Sequence, residues 1–306
     1  MKYCNLRGIQ ASRIVMGCMR IANQPLAETE KVIVEAMQSG VNMFDHADIY
    51  GGGDCERIFG VAMRDLEIPR NNYIVQTKCG IRYGENKTWY DFSKEHILSS
   101  VEGSLRRLNT EYIDVFLLHR PDALAEVDEV AAAFEKLRAD GKVRAFGVSN
   151  FSAGQMKMFA QAGVDIVANQ MQFSLLHTPL IDAGFNVNLR KDEATTRAGD
   201  ALEYCMEKGI TLQAWSPMQY GFFEGVFVGH DGFPNVNREL SALAEKYNCS
   251  PSTIAIAWIL RHPAKMQVIT GTTNKDRMKE MCLAQGIELT REEWYSLYLS
   301  TGKTLP

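Results

Sequence analysis

The sequence predicts an α/β protein built as an eight-stranded parallel (β/α)8 TIM barrel with two extra helices. Three observations carry this reading: eight short unalternating apolar runs, helical stripes between them, and no Pro/Gly/Ser-rich linker or low-complexity tract. Unalternating runs suit parallel strands covered on both faces, and eight βα units point to a closed barrel over an open doubly wound sheet. The chain has 306 residues. Because α/β barrels commonly run about 250 residues as one unit, residues 1–306 are read as one domain.

The candidate strands are 13–17, 41–45, 73–78, 113–118, 143–148, 166–170, 210–215 and 266–270. Between the first two, Val32, Ile33, Ala36 and Met37 repeat at helical spacing and stop at Gly40, a helix C-terminus signal. Ile97, Val101, Leu105 and Leu108 repeat the pattern, as do Ala131, Phe134 and Leu137 before Gly141. The two extra helices are expected after Ser250–Pro251, an N-cap followed by proline at the first position, and after Thr290, where Glu293 completes a capping box. Three long connections, 80–92, 171–193 and 217–235, follow strands, which puts them on the face where barrel active sites lie.

The composition is 46% hydrophobic and 23% charged, ordinary globular usage that excludes a disordered or fibrous chain. With 33 Lys and Arg against 37 Asp and Glu, the net charge of -4 offers no basic excess for nucleic acid. No apolar run approaches the ~18 residues of a membrane span, and residues 1–13 carry Lys2, Arg7 and Arg13 without an apolar signal region. Seven cysteines, none at C-x-x-C spacing, argue against a zinc site or disulfide framework and for the reducing cytoplasm. Cys79, beside Lys78, reads as a small buried apolar residue in preference to a reactive thiol. No interface motif stands out, so a monomer is expected.

The chemistry lies at the strand C-termini. Strand 2 ends in Asp45-His46, strand 3 in Lys78, strand 4 in His119, strand 5 in Ser149-Asn150, strand 6 in Asn169-Gln170 and strand 7 in Trp215-Ser216. Singly, each has an ordinary explanation: a loop cap, a snorkelling lysine, a satisfied core histidine. Together, at adjacent strand ends and with Tyr50 five residues after Asp45, they describe one pocket. An apolar strand ending in lysine needs a partner for a buried ammonium, and Asp45 supplies one. A tyrosine titrates near 10, and a neighbouring ammonium favours its phenolate, so Lys78 is expected to lower the pKa of Tyr50. His119 would orient a carbonyl oxygen. The six histidines form no metal-binding pair, so no metal is expected. Gly51-Gly52-Gly53 does not extend to a Rossmann fingerprint, and Gly141-Lys142 is followed by Val143, not a P-loop hydroxyl. A nucleotide would instead bind at the late loops and the start of the last barrel helix.

With these residues in view, the chain resembles the aldo-keto reductase family, over nearly its whole length and in order. FDHADIYG at 44–51 is similar to the family's Asp-plus-Tyr segment, TKCG at 77–80 to its lysine segment and LLHRPD at 117–122 to its histidine segment. GVSNF at 147–151, NQ at 169–170, AWSPM at 214–218 and GTTNKDR at 271–277 resemble its cofactor segments. The resemblance implies a catalytic four of Asp45, Tyr50, Lys78 and His119, with Tyr50 as general acid. It implies NADPH as cofactor: Ser149, Asn150 and Gln170 on the carboxamide, Trp215 stacked on the nicotinamide, and Ser216, Met218 and Gly221 facing the pyrophosphate. Thr272, Asn274, Lys275 and Arg277 would hold the adenosine and its 2′-phosphate. Many members carry a lysine where Gly271 stands and an asparagine where Met281 stands. His46 and the glycine triplet resemble a bacterial oxidoreductase branch.

The implied activity is reduction of an aldehyde or ketone, a small-molecule substrate, by NADPH. Two rivals stand beside it: a barrel lyase or aldolase with Lys78 as Schiff base, and a non-catalytic nucleotide-sensing subunit. Tyr83, Trp89, Tyr90 and Phe92 in the first long connection, with Tyr220, Phe222, Phe223, Phe227 and Phe233 in the third, suggest an aromatic pocket.

Overall fold

Strands that bury both faces need neighbours on both edges, and in the computed structural model, which describes residues 1–306, they close on themselves. The barrel strands are β1 (Ile14–Gly17), β2 (Met43–Asp45), β3 (Ile74–Cys79), β4 (Ile113–Leu118), β5 (Val143–Ser149), β6 (Ile166–Gln172), β7 (Thr211–Trp215) and β8 (Gln267–Thr270). All run parallel in chain order, and β8 closes onto β1 with Val268 opposite Ile14. The expected strands agree in number and order, differing only at their ends.

The helices are α1 (Leu26–Gln38), α2 (Asp54–Asp65), α3 (Lys94–Leu108), α4 (Val127–Ala139), α5 (Ala153–Gln161), α6 (Pro179–Phe185), α7 (Ala201–Lys208), α8 (Pro234–Lys246), α9 (Pro251–Leu260), α10 (Lys275–Cys282) and α11 (Arg291–Ser300). The capping box Thr290–Glu293 opens α11, and Ser250 caps α9 with Pro251 at its first position. The sequence places α9 outside the barrel, and here the structure differs. Every residue of α9 from Thr253 to Leu260 is buried, and the helix packs against β8 and α10 as the final crossover. The outer position belongs to α8, which lies on α9 and α11. The reason is the apolar run Ile254–Leu260, which has no polar face to give to solvent. α8 keeps only Val236, Leu240, Leu243 and Ala244 buried, one stripe.

The core has two parts. A large shell lies between strands and helices. A smaller cluster, including Val15, Met43, Val115, Leu117, Val167 and Ile269, fills the barrel interior and takes in Leu6 and Ala11. Those two come from an N-terminal hairpin, Tyr3–Leu6 paired with Ile9–Ser12, that plugs the bottom of the barrel. It went unread in the sequence because its strands are only four residues each. With the bottom closed, polar strand ends collect at the top. There the 80–92 connection forms a hairpin, Ile81–Tyr83 with Thr88–Tyr90.

Candidate active site

Lys78, next to last in β3, is fully buried, and the tertiary structure satisfies each of its donors. Its Nζ donates to Asp45 Oδ2 at 2.8 Å, to the carbonyl of His46 at 2.6 Å and to the Tyr50 hydroxyl oxygen at 3.3 Å. Asp45 Oδ1 accepts in turn from Gln76 Nε2 at 2.6 Å and Gln170 Nε2 at 3.0 Å. Tyr50 is brought over Lys78 by the turn behind it: Gly51, Gly52 and Gly53 have φ of 58°, 64° and 96°. Three successive left-handed residues are tolerable only without a Cβ, which explains a glycine triplet that matches no phosphate loop. Asn150 and Ser216, just beyond β5 and at the end of β7, also sit at positive φ. Such strain clusters at functional sites.

Electrostatics fix the protonation states. Burial opposes the charge on Lys78, but Asp45 and Tyr50 outweigh it and hold its pKa above the ordinary lysine value. Burial raises the pKa of Tyr50; Lys78 pulls the other way and does not overcome it. The expected net lowering of Tyr50 is thus reversed, because removing a phenolate from water outweighs one nearby ammonium. His119 is pressed well below the usual histidine range by burial, then by Lys78 and Arg120, and is a neutral imidazole at pH 7. Its Nδ1 is buried without a partner, so Nε2 is the nitrogen free for a ligand. The Tyr50 and His119 rings meet edge to face with centroids 5.8 Å apart. Burial drives the Cys79 thiol well above its normal value, so it is a packing residue.

Above these groups opens a cleft of about 1070 Å³. Asp45, Tyr50, His119, Ser149, Asn150, Gln170, Trp215, Ser216, Met218, Thr272, Asn274 and Arg277 all line it, and Lys78 lies beneath it. Trp215 Nε1 donates to Asn150 Oδ1 at 3.2 Å, tying two of these strand ends together. Two expected residues stand apart. Lys275 is outside the lining, its Nζ held by Asp276 at 3.1 Å. Gly221 is also outside; its carbonyl accepts from Gln172 Nε2. The 80–92 hairpin contributes Ile81, Tyr83, Thr88 and Tyr90, and the 217–235 connection Phe222 and Phe223. The 171–193 connection contributes nothing, because it turns away into the Ser174–His177 bridge and α6. Phe92 and Phe227 are core residues.

Five residues, Gln76, Gln213, Gln267, Arg20 and Arg120, escaped the sequence reading. Gln76 and Gln213, buried inside the barrel, exchange hydrogen bonds at 2.9 Å in both directions. Gln213 also donates to Gln267, so Asp45 rests on a glutamine layer. The available signal was a glutamine inside each of two apolar strands, VQT and LQA. Arg20 donates to the carbonyl of Gly271 at 3.2 Å, and Arg120 stands over Trp215. Nothing local marks either arginine.

Known proteins resemble this chain over nearly its whole length. The Aldo/keto reductase family model matches residues 13–298. The 6-dehydroglucose reductase of Agrobacterium fabrum is 34% identical, covering 96% of each chain. The uncharacterized oxidoreductase YcsN of Bacillus subtilis is 34% identical, covering 97% of each. Among solved structures, the glycerol dehydrogenase AKR11B4 from Gluconobacter oxydans superposes with a TM-score of 0.80 at 26% identity, covering 97% of this chain and 94% of that one.

Proposed function

Because the chain belongs to the aldo/keto reductase family of oxidoreductases, we propose that it reduces aldehydes or ketones to alcohols with NADPH, with Tyr50 as the proton donor. One observation carries the reading: Lys78 Nζ donates to the Tyr50 oxygen. An oxygen that accepts from Lys78 must direct its own proton elsewhere, and the cleft is where Tyr50 faces.

The residues fit a dinucleotide. Arg277 and Arg20 line one end of the cleft, and neither is paired with a carboxylate there. Arg20 stands over Gly271, where a Cβ would come within 3.1 Å of its Nη1, and so brings a cation to the place where many members carry a lysine. The N-terminus of α10 opens beside them, with Asn274 capping the Arg277 N–H. Toward the barrel axis, Ser149, Asn150 and Gln170 offer polar atoms to a carboxamide, and Trp215 a ring face.

A reduced nicotinamide, when bound, supplies a hydride to the carbonyl carbon. This chain's own residues manage the oxygen. Neutral His119, protonated at Nε2, donates to the carbonyl oxygen and orients it. Tyr50 gives that oxygen its proton as negative charge develops there. Lys78, itself anchored by Asp45, stabilises the phenolate left behind. A raised Tyr50 pKa keeps the proton available until the transfer.

The Schiff-base alternative fares poorly. A nucleophilic lysine must be neutral and reachable, whereas Lys78 is fully buried and held charged. The test is oxidation of NADPH against a panel of aldehydes and ketones, with the alcohol identified. Stoichiometric alcohol formation supports the reading. Cofactor binding without turnover on any carbonyl points to a sensing subunit, and borohydride trapping of a substrate adduct on Lys78 to a lyase.

A further inference from the structure

The charges lining the cleft are unbalanced. Its only carboxylate is Asp45, which is committed to Lys78, against three arginines: Arg20, Arg120 and Arg277. Arg20 and Arg277 lie with Gly271–Asn274 at the end assigned above to cofactor phosphates. Arg120 stands instead beside Trp215 and Phe222, directly after His119 in the chain, and nothing in that assignment uses its charge.

Its surroundings are aromatic. Cζ lies 5.5 Å from the centre of the Trp215 ring and 5.8 Å from that of Phe222. Burial draws its pKa below the usual arginine value, and the groups that oppose this are Tyr90 and Tyr50, not a carboxylate. Nearby acids are engaged elsewhere. Asp122 accepts from the backbone N–H of Phe92 and of Leu124, each at 2.9 Å. Asp91 is held by Arg82 at 2.7 Å and by Ser93.

This arrangement divides the bonding capacity of Arg120 in two. A guanidinium uses its faces on aromatic rings and its in-plane N–H fork on oxyanions. Here the rings engage Arg120, and no protein carboxylate or carbonyl takes the fork. A half-buried cation whose fork meets no protein acceptor gains from an oxyanion that supplies its counter-charge.

We propose that Arg120 anchors an anionic group on the substrate, so that the preferred carbonyl compounds carry a carboxylate or phosphate a short chain away from the C=O. The proposal rests on the carbonyl-reductase reading. It adds that one end of the substrate is fixed on Arg120 while its carbonyl oxygen sits between Tyr50 and His119. The same oxidoreduction applies: carbon gains hydride, oxygen gains the Tyr50 proton, and the anion is unchanged.

The test compares paired substrates at saturating NADPH: 4-oxobutanoate against its neutral methyl ester, and glyceraldehyde 3-phosphate against glyceraldehyde. The unmutated enzyme should favour the charged member of at least one pair in KM, and the favoured pair identifies carboxylate or phosphate as the natural handle. Arg120→Met should collapse that preference by about 10- to 150-fold, the loss of one charge-assisted hydrogen bond. Arg120→Lys should restore part of it. In parallel, quenching of tryptophan fluorescence by succinate and by glycerol 3-phosphate reads binding without turnover, in wild type and Arg120→Met. Neutral and charged members handled alike would overturn the proposal. So would losses in Arg120→Met that are equal for both, which would mean the side chain merely props Trp215 and Phe222. If no carbonyl compound is reduced, the reductase reading fails, and the binding arm still decides whether Arg120 takes an anion.

Discussion

Lys78 donates to the Tyr50 hydroxyl oxygen across 3.3 Å while its other N–H groups are held by Asp45 and the His46 carbonyl. The ammonium therefore cannot turn away, and the phenolic proton is the one mobile hydrogen the pair presents to the cleft. Burial keeps that proton on Tyr50 in the resting protein. In the proposed reaction the charge on Lys78 acts later, on the phenolate that proton transfer would leave.

Tyr50→Phe keeps the ring and removes only the donor. Carbonyl reduction should fall by about 10²–10⁴-fold, the usual worth of general acid catalysis. Cofactor affinity, read by fluorescence quenching, should hardly change. Near wild-type turnover, with chemistry shown to limit the rate, would contradict the assignment.

Lys78→Met strands the Asp45 carboxylate in the barrel with only Gln76 and Gln170 donating to it. Breaking a buried pair in this way costs about 3–5 kcal/mol. Chemical denaturation should register that loss, and the double variant Lys78→Met/Asp45→Asn should recover part of it because no charge is left unpaired. Turnover should be low in both. Equal stability of the single and double variants would argue against the pairing.

Arg277→Ala should weaken NADPH far more than NADH. Its side chain lines the cleft beside Thr272 and Asn274. A charge-assisted contact to the 2′-phosphate is worth about 1.5–3 kcal/mol, or roughly 10- to 150-fold in affinity. Titrating both cofactors into both proteins measures it. Equal losses for the two cofactors would remove Arg277 from the 2′-phosphate.

Two buried groups should give opposite pH dependences. Burial and Lys78 press His46 down to about 3, and both its ring nitrogens lack partners. An unfolded histidine titrates near 6.5, so between those values the unfolded chain holds a proton that the folded one excludes. This contribution is complete above about 6.5 and is lost as pH falls, by about 1.4 kcal/mol per unit. Burial and Glu56 raise Asp48 to about 7. An unfolded aspartate titrates near 3.9, so this contribution is complete below that value and is lost as pH rises toward 7. Relative to wild type, His46→Leu should gain stability as pH drops below 6.5, and Asp48→Asn as it climbs from 4 to 7. Urea midpoints across pH 4–7.5 check both, and parallel curves for all three proteins would refute the scheme.

Strand number, strand order and which polar residues gather at the candidate site were legible because their signals are local. Polar residues at the ends of apolar strands, Asp45, Lys78 and His119 among them, stand out against their own neighbours. The glycine triplet after Tyr50 was visible as well, although its purpose, a left-handed turn, was not. The role of α9 was misread because proline and capping signals fix where a helix starts and not which layer covers it.

Local patterns in the chain set the alternation of strand and helix, and with it which side chains arrive at strand C-termini. What those side chains meet follows from the closed fold. Gln76 and Gln213 are 137 positions apart and share hydrogen bonds only because the barrel closes. Arg120 stands over Trp215 for the same reason. Lys275 turns to Asp276, and the balance of burial against the Lys78 charge fixes the direction of the Tyr50 pKa. Periodicity and capping act over a few residues, whereas closure, desolvation and charge pairing depend on distances that exist only once β8 has paired with β1.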